Sequence, residues 1–256
     1  MKHIIACRPG CYDLSLPEAM VVLKGTGIDN VELNPPDDND YDGLAGLAAD
    51  AGMNISSLST GTKVDDPEQV AALERIIEGA AHIRTRIIFL AASVKKATYD
   101  EGIEALKGLA EKARQARVVL SVETHVPFGH NGDTARRTVE TVKSEGLGHN
   151  FDTANIYYYN PKGIDTVKEL KKVLPYVRSV HLKDSAKGEP GSFDFPVLGE
   201  GIVDFPEVFR LLDNQGFTGP YTLELEGPLV SGLSVKQRTE KVKACLDYLR
   251  QIDAMD

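Results

Sequence analysis

The chain has 256 residues, of which 42% are hydrophobic and 26% charged, the composition of an ordinary globular protein. This length is close to that of one (β/α)8 barrel, so we expect a single domain spanning residues 1–256. The net charge of −9 argues against a nucleic-acid partner, and no apolar run approaches the roughly 20 residues that cross a bilayer.

The N-terminal segment predicts a first strand and no targeting signal. Residues Met1–Arg8 contain only a short apolar stretch before an arginine, shorter than the apolar segment of a signal peptide. Cys7 and Cys11 could bind a metal, but no second cysteine pair completes such a site. Together with Cys245 they are odd in number and widely placed, which is typical of reduced thiols, and we expect a cytoplasmic protein.

Short β-branched segments alternate with longer helical segments along the chain, the pattern of a parallel sheet covered by helices. The predicted strands are His3–Cys7, Asn30–Leu33, Asn54–Leu58, Arg86–Leu90, Val118–Glu123, Gly148–Asp152, Val177–Lys183 and Tyr221–Leu225. The predicted helices include Asp66–Ile83, Asp100–Ala116, Asp133–Ser144, Ile164–Leu174, Phe205–Asn214 and Ser234–Gln251. An open doubly wound sheet would normally carry a glycine-rich phosphate loop after its first strand, and residues 8–12 have no such motif. The sequence therefore favours a single (β/α)8 barrel.

The last four predicted strands each end in a residue that can bind a divalent metal: Glu123, Asp152, His181 and Glu224. Glu123 and Asp152 are separated by the same interval as Asp152 and His181, about one strand–helix unit. Active sites of such barrels lie at the C-terminal ends of the strands, so these side chains are expected to converge there. Each residue alone has a plainer explanation, as a cap, an ion-pair partner or a hydrogen-bonded strand residue. Burying three carboxylates together is costly unless a cation compensates them.

Three carboxylates and one imidazole suit Mn²⁺ or Mg²⁺, with Co²⁺ as a further candidate, whereas zinc sites are usually richer in His or Cys. Among neighbouring residues, His125 and Glu226 lie two positions beyond the strand-end glutamates, and Lys183 lies two beyond His181. Alternation would point them to the same face, where they could contact substrate oxygens. A salt bridge between Lys183 and Glu226 is the plainer alternative. Asn155 could contact substrate or only cap the following turn.

The strand ends resemble the xylose-isomerase-like superfamily of TIM barrels. The segments that carry the resemblance are residues 31–33, 122–125, 151–155, 180–184, 199–205 and 216–219 leading to Glu224. The resemblance implies that Glu123, Asp152, His181 and Glu224 bind the metal, and that the two glutamates form an acid/base pair as in ketose 3-epimerases. Several ketose epimerases and hydroxypyruvate isomerases carry His where this chain has Asn155. The Asn form is similar to sugar-phosphate members, so the resemblance does not decide which substrate the protein uses.

The predicted function is a sugar or sugar-phosphate isomerase or epimerase that works through α-proton abstraction and an enediolate. The alternative is a metal-dependent lyase or dehydratase acting on a keto-sugar, keto-glycoside or inosose, in which His125 or Lys183 could protonate the leaving group. The superfamily also contains endonuclease IV, but the acidic balance argues against DNA, and the complete ligand set argues against a barrel without catalysis. A substrate phosphate would need basic partners, for which Arg8, Lys63 and Lys183 are candidates. Barrels of this kind often pair, so a homo-oligomer is a further expectation.

Overall fold

Eight parallel strands close into one barrel in which each strand pairs with its neighbours in sequence and the last pairs with the first. The computed structural model describes residues 3–255, so the part of the N-terminal prediction that falls on Met1 and Lys2 lies outside the described residues. The strands are β1 (Ile4–Cys7), β2 (Asn30–Leu33), β3 (Asn54–Lys63), β4 (Ile87–Ser93), β5 (Val119–Glu123), β6 (Leu147–Asp152), β7 (Val177–Leu182) and β8 (Pro220–Leu223). The predicted (β/α)8 fold is confirmed.

Helices follow every strand and cover the outside of the barrel. They are α1 (Leu16–Lys24), α2 (Tyr41–Asp50), α3 (Pro67–His82), α4 (Tyr99–Gln115), α5 (Gly132–Val142), α6 (Asn155–Tyr158), α7 (Thr166–Val173), α8 (Phe205–Gln215) and α9 (Val235–Gln251). The first of these helices and α2 were not among the predicted ones, and α6 is a single extra turn after β6. The other helices lie within two residues of their predicted bounds.

Local sequence signals explain where the helices begin. The Asp66 side chain accepts hydrogen bonds from the backbone N–H groups of Glu68 and Gln69, and Pro67 occupies the first turn of α3. In α4, Thr98 and Glu101 cap each other's backbone N–H groups reciprocally. Such caps bond N–H groups that the first helical turn leaves without partners.

A continuous core of buried apolar side chains joins the strands to the surrounding helices. Inside the barrel a polar network lies beneath the strand ends, where the hydroxyls of Ser121 and Ser179 are 2.7 Å apart and Ser179 donates to Asn150. Because all strands run in one direction, their C-terminal ends open at one mouth. Within residues 3–255, no helix has both the length and the apolar character needed to cross a membrane.

Candidate metal centre and active site

Three of the predicted ligands meet at the mouth of the barrel. Asp152 ends β6 and pairs in register with His181 on β7, which pairs in turn with Thr222 on β8. Glu224 follows β8 directly, and its backbone N–H still bonds the carbonyl of Leu182 at 3.3 Å. One ligand atom from each of Asp152, His181 and Glu224 lies within 4.8 Å of the others, which is a suitable spacing for ligands of one ion.

The Asp152 carboxylate is fully buried and has two distinct oxygens. Its Oδ1 accepts hydrogen bonds of 2.8 Å from the backbone N–H groups of Ala154 and Asn155, which fixes the start of α6. Its Oδ2 lies 3.2 Å from Nζ of Lys183 but has no hydrogen bond of acceptable geometry from the described residues. A buried carboxylate oxygen without a hydrogen bond is costly unless a cation compensates it.

The His181 ring is held on three sides. Its Nε2 lies 3.0 Å from Oε1 of Glu32, its Nδ1 lies 3.2 Å from Oε2 of Glu224, and the ring stacks on Phe89 with centroids 4.3 Å apart. Burial disfavours the charged imidazolium, but the carboxylates of Glu32 and Glu224 outweigh burial and raise the pKa of His181 to about 10. Without a bound metal the ring is therefore a cation, and it would have to lose a proton to bind a divalent ion.

Glu224 contacts more charged groups than the other ligands do. Arg8 Nη1 donates to its Oε1, and Nζ of Lys183 lies 2.8 Å from its Oε2. Burial alone would raise the pKa of this carboxyl, but the charges of Lys183 and His181 outweigh burial and hold the pKa well below its usual value. Glu224 is therefore a carboxylate at neutral pH.

Glu123, the fourth predicted ligand, has a different environment. It ends β5, is buried, and accepts a hydrogen bond of 3.1 Å from Nδ2 of Asn155. Burial, reinforced by the charges of Glu224 and Asp152, raises the pKa of Glu123 to about 8. Glu123 is not a member of the group whose atoms lie within 4.8 Å of one another, so its role as a ligand stays a prediction.

Carboxylates outnumber permanent cations at this site. The buried and half-buried carboxylates belong to Glu32, Glu123, Asp152, Glu224 and Glu226. Lys183 and Arg8 bring two permanent positive charges. Two carboxylate oxygens and one imidazole nitrogen, in a buried site with excess negative charge and an oxygen that lacks a hydrogen bond, fit a divalent cation.

A cleft of about 440 Å³ lies over this cluster at the mouth. Its lining residues are Arg8, Asn34, Pro35, Asp37, Ser59, Thr60, Gly61, Phe89, Ala91, Glu123 and Glu224. Both predicted catalytic glutamates therefore face one space that is large enough for a small sugar.

The four predicted substrate-binding residues take different positions, and none of them belongs to the lining of this cleft. Lys183 is buried and forms the ion pair with Glu226, at 2.5 Å, that the sequence allowed as the plainer alternative. Asn155 begins α6 and donates to the Glu123 carboxylate, so it orients that side chain. His125 lies on the loop after β5, where its Nδ1 is 2.6 Å from the Val126 carbonyl oxygen.

Two further site residues were not among the predicted ones. Glu32 at the end of β2 entered the sequence argument only within the resemblance, and Phe89 on β4 did not enter it. A signal for Glu32 existed, because it is a lone carboxylate between apolar residues at a strand end. The sequence around Phe89 gives no such signal, because its place in the site follows only from its stacking on His181 inside the barrel.

The sequence profile of the family described as "Xylose isomerase-like TIM barrel" matches residues 21–252 of this chain. The chain belongs to this family. The resemblance stated from the strand ends is thereby confirmed. Among its curated relatives, the L-ribulose-5-phosphate 3-epimerase UlaE of Shigella flexneri is 25% identical in an alignment that covers 92% of each chain.

Solved structures of xylose isomerase-like barrels share the fold. D-psicose 3-epimerase of Clostridium cellulolyticum H10, determined with D-tagatose, superposes with TM-score 0.78 at 15% identity and covers 98% of this chain and 99% of its own. A xylose isomerase-like TIM barrel protein of Mycobacterium smegmatis in complex with magnesium gives TM-score 0.74 at 21% identity, covering 93% and 88%. The "probable 3-DHS dehydratase AsbF" of Bacillus anthracis gives TM-score 0.76 at 16% identity, covering 98% and 99%.

Proposed function

We propose that this protein is a divalent-metal-dependent sugar isomerase or epimerase that moves a proton at the carbon next to a carbonyl. The observation that carries the proposal is the pair Glu123 and Glu224, which line one cleft beside the Asp152–His181–Glu224 group. Their pKa values diverge, since Glu123 is raised to about 8 and Glu224 is held well below its usual value. These values describe the site without a metal, and they show that the two glutamates lie in different electrostatic environments.

The metal would be held by Asp152, His181 and Glu224, with Glu123 as the proposed fourth ligand. A divalent ion supplies the positive charge that stabilises an enediolate as it forms. The carboxylate-rich set favours Mn²⁺, with Mg²⁺ or Co²⁺ as alternatives. The magnesium complex of the Mycobacterium smegmatis relative supports a divalent ion in this fold.

The protein side chains divide the remaining work. One of the two glutamates accepts the α-proton, and the other returns a proton to the other face or the neighbouring carbon. Asn155 orients the Glu123 carboxylate through its 3.1 Å hydrogen bond. Lys183 places a permanent positive charge beside Asp152 and Glu224.

A carbohydrate substrate is the second element of the proposal. It is supported by the family, by the sugar-phosphate epimerase name of the Shigella flexneri relative, and by the 3-epimerase that shares the fold. His125, Asn155, Lys183 and Glu226 are proposed to contact substrate oxygens directly or to orient groups that do.

The deciding experiment measures deuterium incorporation from deuterium oxide into a panel of ketoses and keto-sugars in the presence of Mn²⁺. Glu123→Gln and Glu224→Gln should keep the fold, shown by unchanged circular dichroism, and lose exchange by a factor of about 100 or more. Chelation should abolish exchange and added metal should restore it. Exchange at the wild-type rate in both variants would refute the proposal.

The alternative is a metal-dependent lyase or dehydratase, which begins with the same proton abstraction and then expels a β-substituent. The fold that this chain shares with the "probable 3-DHS dehydratase AsbF" supports this alternative. Burial lowers the pKa of Lys183, but the charges of Asp152 and Glu224 outweigh burial and raise this pKa well above its usual value. Lys183 is therefore a poor proton donor for the departing group. Product mass separates the two reactions, since dehydration loses water and epimerisation leaves the mass unchanged.

A further inference from the structure

We infer that the substrate of this site carries no phosphate group and is an unphosphorylated keto-sugar. The inference rests on the proposed function and narrows its substrate class. It departs from the sugar-phosphate name of the Shigella flexneri relative, which is 25% identical. The observations that carry it are the charges around the cleft and the partners of each basic side chain near it.

The cleft over the metal group is lined by one basic residue. Among its lining residues, Arg8 is the cation, while Asp37, Glu123 and Glu224 are acidic. A phosphate ester brings close to two negative charges at neutral pH, and a site for it normally offers an Arg or Lys that is free to pair. The described lining provides Arg8 alone for that purpose.

Arg8 already forms ion pairs with two carboxylates of the protein. Its Nη1 donates to Oε1 of Glu224, and its Nε lies 3.7 Å from Oε1 of Glu32. Its side chain is only 30% exposed. A guanidinium shared by two carboxylates presents no surplus positive charge to a ligand. Turning Arg8 toward a phosphate would also remove a cation that compensates buried Glu224, which is unfavourable.

The space next to the cleft is more acidic still. A groove of about 760 Å³ shares Arg8, Asn34, Pro35 and Asp37 with the cleft and continues along α2. Its charged lining residues are Arg8, Glu32, Asp37, Asp38, Asp40 and Asp50. One cation against five acidic side chains in this groove disfavours an anionic ligand there, whereas a neutral sugar with many hydroxyl groups is not repelled.

The start of α2, which lines this groove, does not supply an anion site either. Helix N-termini attract phosphate through their unpaired N–H groups. In α2 the side chain of Asp40 occupies that position and accepts a hydrogen bond of 2.8 Å from Gly43. A phosphate would have to displace this carboxylate.

The remaining basic candidates, Lys183 and Lys63, do not present a free positive charge in the lining of the cleft. Lys183 is 3% exposed and lies within 3.2 Å of carboxylate oxygens of Asp152, Glu224 and Glu226. Lys63, at the end of β3, is not part of the lining of the cleft or of the acidic groove. Of the three basic candidates, Arg8 and Lys183 are paired with carboxylates, and the exposed Lys63 lies outside the lining of both spaces.

The test compares matched pairs that differ only in phosphate, namely L-ribulose with L-ribulose 5-phosphate and D-fructose with D-fructose 6-phosphate. Deuterium exchange is measured with the Mn²⁺-loaded protein, and binding is measured in parallel by isothermal calorimetry. The free ketose is expected to exceed its ester in kcat/KM and in affinity by a factor of roughly ten or more. An ester that is exchanged or bound as well as the free sugar overturns the inference.

A charge reversal provides the second arm. Asp37 is exposed and lines both spaces, so Asp37→Lys should raise the relative affinity for the ester by roughly tenfold. Glu145→Lys is the matched control, because Glu145 is exposed at the opposite end of the barrel, just before β6. Equal responses in the two variants, or none in Asp37→Lys, count against the inference.

The two arms also separate this inference from the proposed function. Preferential binding of free sugars without any exchange overturns the proposed function and supports the substrate class. Exchange that favours the esters supports the proposed function and overturns the substrate class. Absence of both binding and exchange with every pair overturns both.

Discussion

Nε2 of His181 lies 3.0 Å from Oε1 of Glu32, so a carboxylate on β2 holds the imidazole of β7 from across the barrel. The second oxygen of Glu32 accepts a hydrogen bond of 2.8 Å from Ser57, which fixes the carboxylate in turn. A histidine that binds a metal through one nitrogen usually donates its other N–H to a carboxylate. Glu32 therefore orients His181 so that Nδ1 faces Glu224 and the proposed ion.

Glu32→Gln should weaken metal binding by a factor of about 10 to 100 while the fold is retained. The amide has no negative charge to stabilise the polarised imidazole, although it is nearly the same size. Competition with a fluorescent chelator for Mn²⁺ measures the affinity. Ser57→Ala, which removes only the support of the carboxylate, should produce a smaller loss. Wild-type affinity in Glu32→Gln would show that Glu32 has no part in holding the ligand.

Lys183→Met should destabilise the metal-free protein by about 3–5 kcal/mol, because it removes the cation beside three carboxylates. The loss should shrink in excess Mn²⁺, since the ion supplies positive charge to Asp152 and Glu224. Urea unfolding with chelator and with metal gives both values. Lys187→Met is the control, because Lys187 is exposed on the same loop. A loss of equal size with and without metal would contradict the expectation.

The alternation of buried strands and amphipathic helices is sufficient to predict the barrel, because each strand buries a short apolar run. The prediction missed the C-terminal half of β3, because its residues form no apolar run. Ser59, Thr60 and Gly61 line the cleft at the mouth, and the backbone of residues 59–63 continues the ladder with β4 as far as the pair Lys63 and Ser93. Hydrogen-bond pairing, which leaves no mark in hydropathy, sets the length of these strands.

The site was predictable where chemistry coincides with a strand end, as for Asp152, His181 and Glu224. It was not predictable where a contact crosses the barrel, as between Glu32 and His181, because residues far apart in sequence meet only after closure. Alternation failed at His125, since β5 ends at Glu123 and the chain turns there. Strand periodicity holds only while the strand continues.

Asp184 organises the loop between β7 and α8, and Asp184→Asn should destabilise the protein by about 2–4 kcal/mol. The buried carboxylate accepts hydrogen bonds from four backbone N–H groups, those of Ser185, Gly199, Gly201 and Val203. An amide NH₂ would face some of these donors. Urea unfolding measures the loss, and limited proteolysis within 185–204 reports loosening of the loop. Asp194→Asn, exposed on the same loop, should change stability by less than about 0.5 kcal/mol.

His149 should make the protein sensitive to acid. Its ring is fully buried and contacts Thr124, and burial lowers the pKa of His149 to about 3. A histidine whose pKa is lowered in the folded state stabilises the protein above its unfolded pKa of about 6.5, and this contribution is lost as the pH falls toward 3. The expected loss over that window is roughly 5 kcal/mol, since each pKa unit corresponds to about 1.4 kcal/mol.

The measurement is the free energy of unfolding in urea as a function of pH, for the wild type and for His149→Gln, which cannot take up this proton. Carboxylates contribute to acid unfolding equally in both proteins, so the difference between the two curves isolates His149. The free energy of unfolding of the wild type, relative to that of His149→Gln, should fall steadily from pH 7 to the lowest pH at which the wild type stays folded. His82→Gln makes the same chemical change at an exposed ring that contacts Asp42 and serves as the matched control. Parallel curves for the wild type and His149→Gln would mean that the buried ring does not resist protonation.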